Sequence, residues 1–294
     1  MATTATATVE ASGERPPASR EENIRALIRA NSENFPVGSF LIPPDCRPHV
    51  HAFYLFARKA DDIADSPTIP AAEKVARLQA ASDALGKDEA ALPDWAVPYH
   101  RSLIETGCGA QNGRDLLSAF IQDATKLRYA DWDDLMDYCQ RSAASVGRVM
   151  MDIHGESGHA DIDGSDALCN ALQVLNHLQD CGEDYLALDR VYVPEPWLQE
   201  AGGGVEMLAE TRSSPAVRRA IDRCLEHTAD LLRRAEAMPR SVRRRRFRWE
   251  CAVIVRLAWA LHRRLSRGDP LAGRIRVPTP ARAGLALRGI ALAW

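Results

Sequence analysis

No stretch of the 294 residues reaches the roughly 18 consecutive apolar residues that a membrane-spanning helix needs. The opening residues, MATTATATVEASGERPP, lack both the charged head and the apolar run of a secretory leader. The seven cysteines (Cys46, Cys108, Cys139, Cys169, Cys181, Cys224, Cys251) are an odd number, and no CxxC pair occurs. Neither a disulfide framework nor a cysteine zinc site is indicated, and a reducing, cytoplasmic home is expected. Charge of one sign is not in excess: 37 basic and 40 acidic residues leave a formal net charge of −3, which argues against nucleic acid as a partner. Alternating β-branched runs of strand length are nearly absent, and VYV at 191–193 is too short to build a sheet. There is no GxxxxGK[ST] loop, no HExxH and no GxSxG. Gly107, Gly109 and Gly113 come near GxGxxG but are too widely spaced, and no strand precedes them. His154 and His159 are five apart, off one helical face, and read as core or surface residues rather than ligands.

What remains is helix. Residues 1 to about 20 are Ala, Thr, Ser, Pro and Glu and read as a disordered tail. From there apolar residues recur at three- and four-residue spacing. They predict helices over 22–30, 46–65, 71–86, 95–106, 113–126, 132–154, 163–186, 215–237 and 243–267. Asp131 and Asp163 stand as start signals before two of these runs. The expectation is an all-α chain with a single helical bundle domain over 21–270. A C-terminal segment over 271–294 follows, in which Arg282 and Arg288 interrupt apolar sequence. That segment is expected either to pack as a short helix or to touch a membrane surface.

Two acidic stripes carry the chemistry. In FYLFARKADDIADS, Asp61, Asp62 and Asp65 spell DDxxD near the end of a helix. Asp61 and Asp65 share one face about 6 Å apart along the axis, and Tyr54 and Arg58 precede them on that face. Like charges at this spacing, close to a helix C-terminus, are locally unfavourable. In NALQVLNHLQDCGEDYLALDR, Asn176, Asp180 and Asp184 fall at i, i+4 and i+8, with Gln173 extending the row. Leu172, Val174, Leu175 and Leu178 cover the other faces, so these polar groups sit on a helix that looks buried and need compensation. Opposed, the two stripes would form an oxygen-rich cage. Hard oxygen donors select Mg²⁺, which keeps part of its shell for substrate phosphates. A phosphate or diphosphate ester is therefore the expected substrate. Arg58 and Arg190 are placed to hold its oxygens by charge-assisted hydrogen bonds.

The pairing of YLFARKADDIAD with NHLQDCGEDYLALDRVYVP resembles the squalene/phytoene synthase family, and the middle segment with YCQRSAASVGR at 138–148 fits it too. ENFPVGS at 33–39, QDATKLRY at 122–129 and NHLQD at 176–180 resemble its bacterial hopanoid branch, the HpnC type. The resemblance implies the all-α isoprenoid synthase fold around an apolar cavity. It also implies Mg²⁺ bridging a diphosphate to Asp61, Asp65, Asn176, Asp180 and Asp184. Tyr54 and Arg58 match diphosphate-side positions, and Tyr138 matches a tyrosine facing the cavity. Members of that branch take presqualene diphosphate, expel diphosphate and quench the rearranged cation with water to give hydroxysqualene, with sister enzymes before and after them. The chain departs from the family at Gln179, Arg141 and Glu33, where Arg, Tyr and Lys are frequent. Losing those groups is consistent with a single diphosphate substrate. Tyr138 and Gln173 are candidates to orient the water. Presqualene diphosphate, squalene or phytoene synthesis is the alternative activity, and a non-catalytic scaffold the alternative class. The run Arg243–Arg246 with Arg240 and Arg248 reads as a solvated helix start or as an attraction to anionic lipid.

Overall fold

The computed structural model describes residues 41–278. The expected helix at 22–30, the ENFPVGS segment with Glu33, and residues 279–294 lie outside the described residues. No β-strand occurs among the described residues, and the chain is all-α.

The first helix among the described residues, α1 (Arg47–Ala64), carries Pro48 in its first turn, where a missing N–H costs nothing. It buries Val50, Phe53, Phe56, Ala60 and Ile63 at helical spacing. Phe56 is fully buried, with ring centroids 4.7 Å from Tyr99 and 5.5 Å from Trp95. These aromatic contacts fix α1 against α3 (Val97–Thr106), with α2 (Ala71–Ala84) between them in sequence. Gly107 ends α3 in the left-handed region at φ 69°, where glycine bears no Cβ penalty. Gly113, in α4 (Gln111–Asp123), lets the helix approach Tyr99: a Cβ there would lie 2.8 Å from the ring. Two of the three glycines that nearly spell a dinucleotide loop, Gly107 and Gly113, therefore serve a helix end and a close packing contact.

The run expected as one helix over 132–154 is two helices joined by a π turn: α5 (Trp132–Cys139), the turn Gln140–Ala144, and α6 (Ser145–Ile153). Asp131 caps α5 through a 2.8 Å bond from the Asp134 N–H. The longest helix is α7 (Ile162–Leu188), 27 residues or about 40 Å. Its N-cap is Asp161, which accepts from the Gly164 N–H at 2.9 Å, two residues before the expected signal at Asp163. The turn Gln140–Ala144, α6, α9 (Pro215–Ala235) and α10 (Arg245–Leu265) all pack on α7, which makes it the centre of the bundle. A short helix, α8 (Glu195–Glu200), was not expected from periodicity.

Two irregular segments complete the frame. The VYV stretch is extended, and the Val191 and Glu195 N–H groups donate to the Leu127 and Tyr129 carbonyls at 2.9 and 3.1 Å. Residues 271–277, expected to begin a separate C-terminal segment, lie against α7. The Gln179 side-chain amide donates to the Ile275 carbonyl, and Val277 is buried.

His154 is buried and stacks on Phe247 at 3.9 Å, and His159 pairs with Glu156 at 2.6 Å. In the basic run at the start of α10, Arg244 is paired with a carboxylate while Arg243 and Arg246 are exposed. Arg244 pairs with Asp45 at 2.8 Å, the Arg243 and Arg244 N–H groups donate to the Glu156 carboxylate, and Arg248 donates to the Val242 carbonyl.

Candidate active site

Between Gly164 and Cys181 almost every residue of α7 is buried, on all faces. The exceptions are Gln173, Asn176, His177 and Asp180, which stay partly accessible, and Asp184 continues the row one turn on. The accessible positions are thus the polar ones at i, i+3, i+4 and i+7, a single slot along the central helix. On α1, Tyr54, Asp61 and Asp65 are likewise half-buried, while Arg58 and Asp62 are exposed.

The two stripes meet through Arg190. Its backbone N–H donates to the Asp184 carbonyl at 3.3 Å, which folds the end of α7 back on itself. Its guanidinium reaches α1 and donates to Asp65 at 3.0 Å. It also donates to the Asp123 carbonyl at 2.9 Å and to the Tyr192 hydroxyl at 3.3 Å. Arg190 is buried and tied on several sides, so it joins the acidic motifs instead of standing open as a diphosphate clamp. The Asp65 charge also acts on Asp184 across this junction.

Burial, reinforced by Asp65, pushes the Asp61 carboxyl up to about 7, against the pull of Arg58. Burial, reinforced by Asp180, pushes Asp184 up to about 7 as well, and Asp180 is raised by burial. Crowded, half-buried carboxylates that resist ionisation lack a counter-charge. Arg58 supplies part of it, 3.2 Å from Asp61 and 3.1 Å from Asp62. Arg274 supplies another part from the segment following α10, 2.9 Å from Asp180. The Gln179 amide, next to Asp180, holds that segment in place.

The donor set fits a hard divalent cation. The Asp180 Oδ1 atom is buried and has no hydrogen-bond partner, so a ligand is wanted there. Among the described residues, no three or more His, Cys, Asp or Glu side chains are gathered as a closed metal cluster. The expected donors are therefore not assembled as one closed cage, and a Mg²⁺ ion held by one or two of them would take the rest of its shell from water and phosphate oxygens.

Three residues of this site escaped the sequence reading. Asp123, on α4, accepts a 2.7 Å bond from the Tyr138 hydroxyl and a 3.4 Å bond from the Tyr192 hydroxyl, with the Arg190 Nε 3.8 Å away. Burial pushes its carboxyl up to about 6 against the pull of Arg190. The available signal was a carboxylate on the apolar face of Leu116 and Ala119. Tyr192 belongs to the short apolar run, and only its pairing with residues 127–129 brings it here. His177 stacks on Tyr192 at 3.3 Å, and burial lowers its pKa to about 3, so its ring is neutral. Tyr138, expected to face the cavity, is 2% exposed and bonded to Asp123.

Comparison with known proteins gives the family and the fold. The chain is 41% identical over 269 residues to a hydroxysqualene synthase of Zymomonas mobilis, covering 90% of each chain. It is 43% identical over 244 residues to a hydroxysqualene synthase of Rhodopseudomonas palustris, covering 83% of this chain and 82% of the other. In three dimensions it matches the squalene synthase HpnC of Alicyclobacillus acidocaldarius with a TM-score of 0.70 and 28% identity, over 83% of this chain and 91% of that one. A ligand-bound dehydrosqualene synthase, 19% identical, shares the fold with a TM-score of 0.71 over 92% of this chain and 98% of its own. The fold is therefore the all-α isoprenoid synthase fold. Residues 28–283 match the squalene/phytoene synthase family, and the chain belongs to that family.

Proposed function

We propose that the protein converts presqualene diphosphate and water to hydroxysqualene and diphosphate, as a carbon–oxygen lyase of the terpenoid synthase kind. The observation that carries this reading is the accessible polar row of α7, joined by Arg190 to Asp65, in a chain 41–43% identical to hydroxysqualene synthases.

Asp61 and Asp65 on α1 and Asn176, Asp180 and Asp184 on α7 would hold Mg²⁺. The ion, when bound, supplies Lewis-acid neutralisation of the departing diphosphate. The chain's own groups do the rest. Arg58, exposed beside Asp61, donates charge-assisted hydrogen bonds to diphosphate oxygens. Tyr54, one turn before Arg58, contacts the same end of the substrate. Arg190 keeps the two motifs in register, and Asp123 with Tyr138 and Tyr192 keeps Arg190 in place. The ester carbon–oxygen bond breaks with its electron pair leaving on diphosphate. The carbocation rearranges, a water oxygen bonds to it, and the surplus proton passes to the released diphosphate. Because the Tyr138 hydroxyl is committed to Asp123, Gln173 on the accessible row is the group that orients this water. The balance needs no reductant.

Product analysis tests this. Purified protein with presqualene diphosphate and Mg²⁺ is expected to yield hydroxysqualene equally with and without NADPH. It is expected to stop in excess chelator, recover with Mg²⁺, and leave farnesyl and geranylgeranyl diphosphates unchanged. Squalene formed only with reductant, or condensation of farnesyl diphosphate, would replace this reading with a synthase of the alternative kind.

A further inference from the structure

The sharpest basic run in the sequence opens α10, and a second concentration of basic charge lies at the other end of that helix. Arg263, Arg264 and Arg267 from its last turns, with Arg274 and Arg276 from the following segment, line an open groove of about 780 Å³. All five are exposed. Arg274 pairs with Asp180, and Arg276 also acts on Asp180. Among the described residues, Arg263, Arg264 and Arg267 have no carboxylate within ion-pair distance. Five guanidiniums around one carboxylate repel one another unless an anion joins them, and the guanidinium fork matches phosphate oxygens.

The groove is not purely polar. Ala260 and Ile275 line it beside the arginines, and its volume far exceeds that of a lone phosphate. A phosphate head with an apolar tail fits both features. The sequence beyond Pro278 agrees in composition: TPARAGLALRGIALAW contains two arginines, no acidic residue and mostly apolar side chains. Basic residues interleaved with apolar ones are what anionic bilayer surfaces attract.

We propose that this groove binds the phosphate headgroup of an anionic phospholipid and so seats the Asp180 end of the site on the membrane surface. The assignment does not depend on which diphosphate the enzyme consumes.

The test is sedimentation of the full chain with phosphatidylglycerol and with phosphatidylcholine vesicles at low and high salt. Binding is expected on phosphatidylglycerol alone, falling as salt rises. Arg263→Gln with Arg267→Gln is expected to weaken it about fivefold for each charge removed. Arg243→Gln with Arg246→Gln, at the opposite end of α10, is expected to change it less than twofold. Activity on detergent-dispersed substrate is expected to be unchanged in both pairs. Arg264→Gln provides a second, single-charge variant whose loss of binding should match one arginine. Absence of phosphatidylglycerol binding, or equal binding by wild type and the Arg263/Arg267 pair, would overturn the proposal. So would full displacement by inorganic diphosphate at constant ionic strength, because it would make the ligand a soluble anion.

Discussion

Asp61, Asp180 and Asp184 are carboxylates that the fold makes reluctant to ionise, because each is partly desolvated beside another acid. This has a definite sign. With folded pKa values of about 7 against an ordinary carboxylate value, Asp61 and Asp184 contribute stability to the metal-free chain at low pH that is lost as pH rises through 7. A divalent cation reverses the balance, since it binds only the ionised forms. Cation binding followed by calorimetry is therefore expected to weaken as pH falls from 8 to 6, with protons released on binding. A flat affinity across that range would contradict the site. Asp61→Asn and Asp180→Asn are each expected to lower turnover at least about tenfold, as losing a metal ligand does. Circular dichroism spectra are expected to stay like wild type, and wild-type rates in both variants would remove the metal-binding role.

At the scale of elements, the crossing of α6 over α7 explains why the YCxxxAxxVG stretch ends in glycine. A Cβ on Gly147 would lie 2.5 Å from the Cys169 Sγ and 3.1 Å from the Ser165 Oγ. Gly147→Ala is expected to cost about 1–2 kcal/mol of unfolding free energy in urea, overpacking outweighing the better helix propensity of alanine. Adding Cys169→Ala is expected to return part of that loss, and no recovery would place the strain elsewhere. The π turn Gln140–Ala144 lies just beyond Tyr138, within the same stretch. Periodicity reads straight through such a turn, because one extra residue barely disturbs an apolar pattern over 20 positions. α10 makes the same point about charge. Its basic start is the conspicuous patch in the sequence, where Asp45 pairs with Arg244 and Glu156 accepts from backbone N–H groups, while the later and less conspicuous arginines line a groove.

For the molecule as a whole, the seven cysteines are all unpaired, six of them buried and Cys108 half-buried. Burial raises the buried thiols Cys139, Cys169, Cys224 and Cys251, which keeps them protonated and inert. A thiol reagent is expected to modify about one group in the native protein and seven after unfolding, and the melting temperature is expected to be indifferent to reductant. Rapid native modification of several thiols would mean that the core opens.

The helices, their approximate ends and the two acidic stripes were legible in the sequence, because helix periodicity and i, i+4 spacing are local properties of the chain. The route by which the stripes meet was not. Arg190 joins Asp65 only because VYV pairs with residues 127–129, and Arg274 reaches Asp180 only because Gln179 holds a segment 96 positions away. Such contacts depend on loop paths and long-range packing, which leave no period in the sequence. Residue types thus set the expectation of what kind of ligand the site binds, and tertiary structure settled which charges are paired.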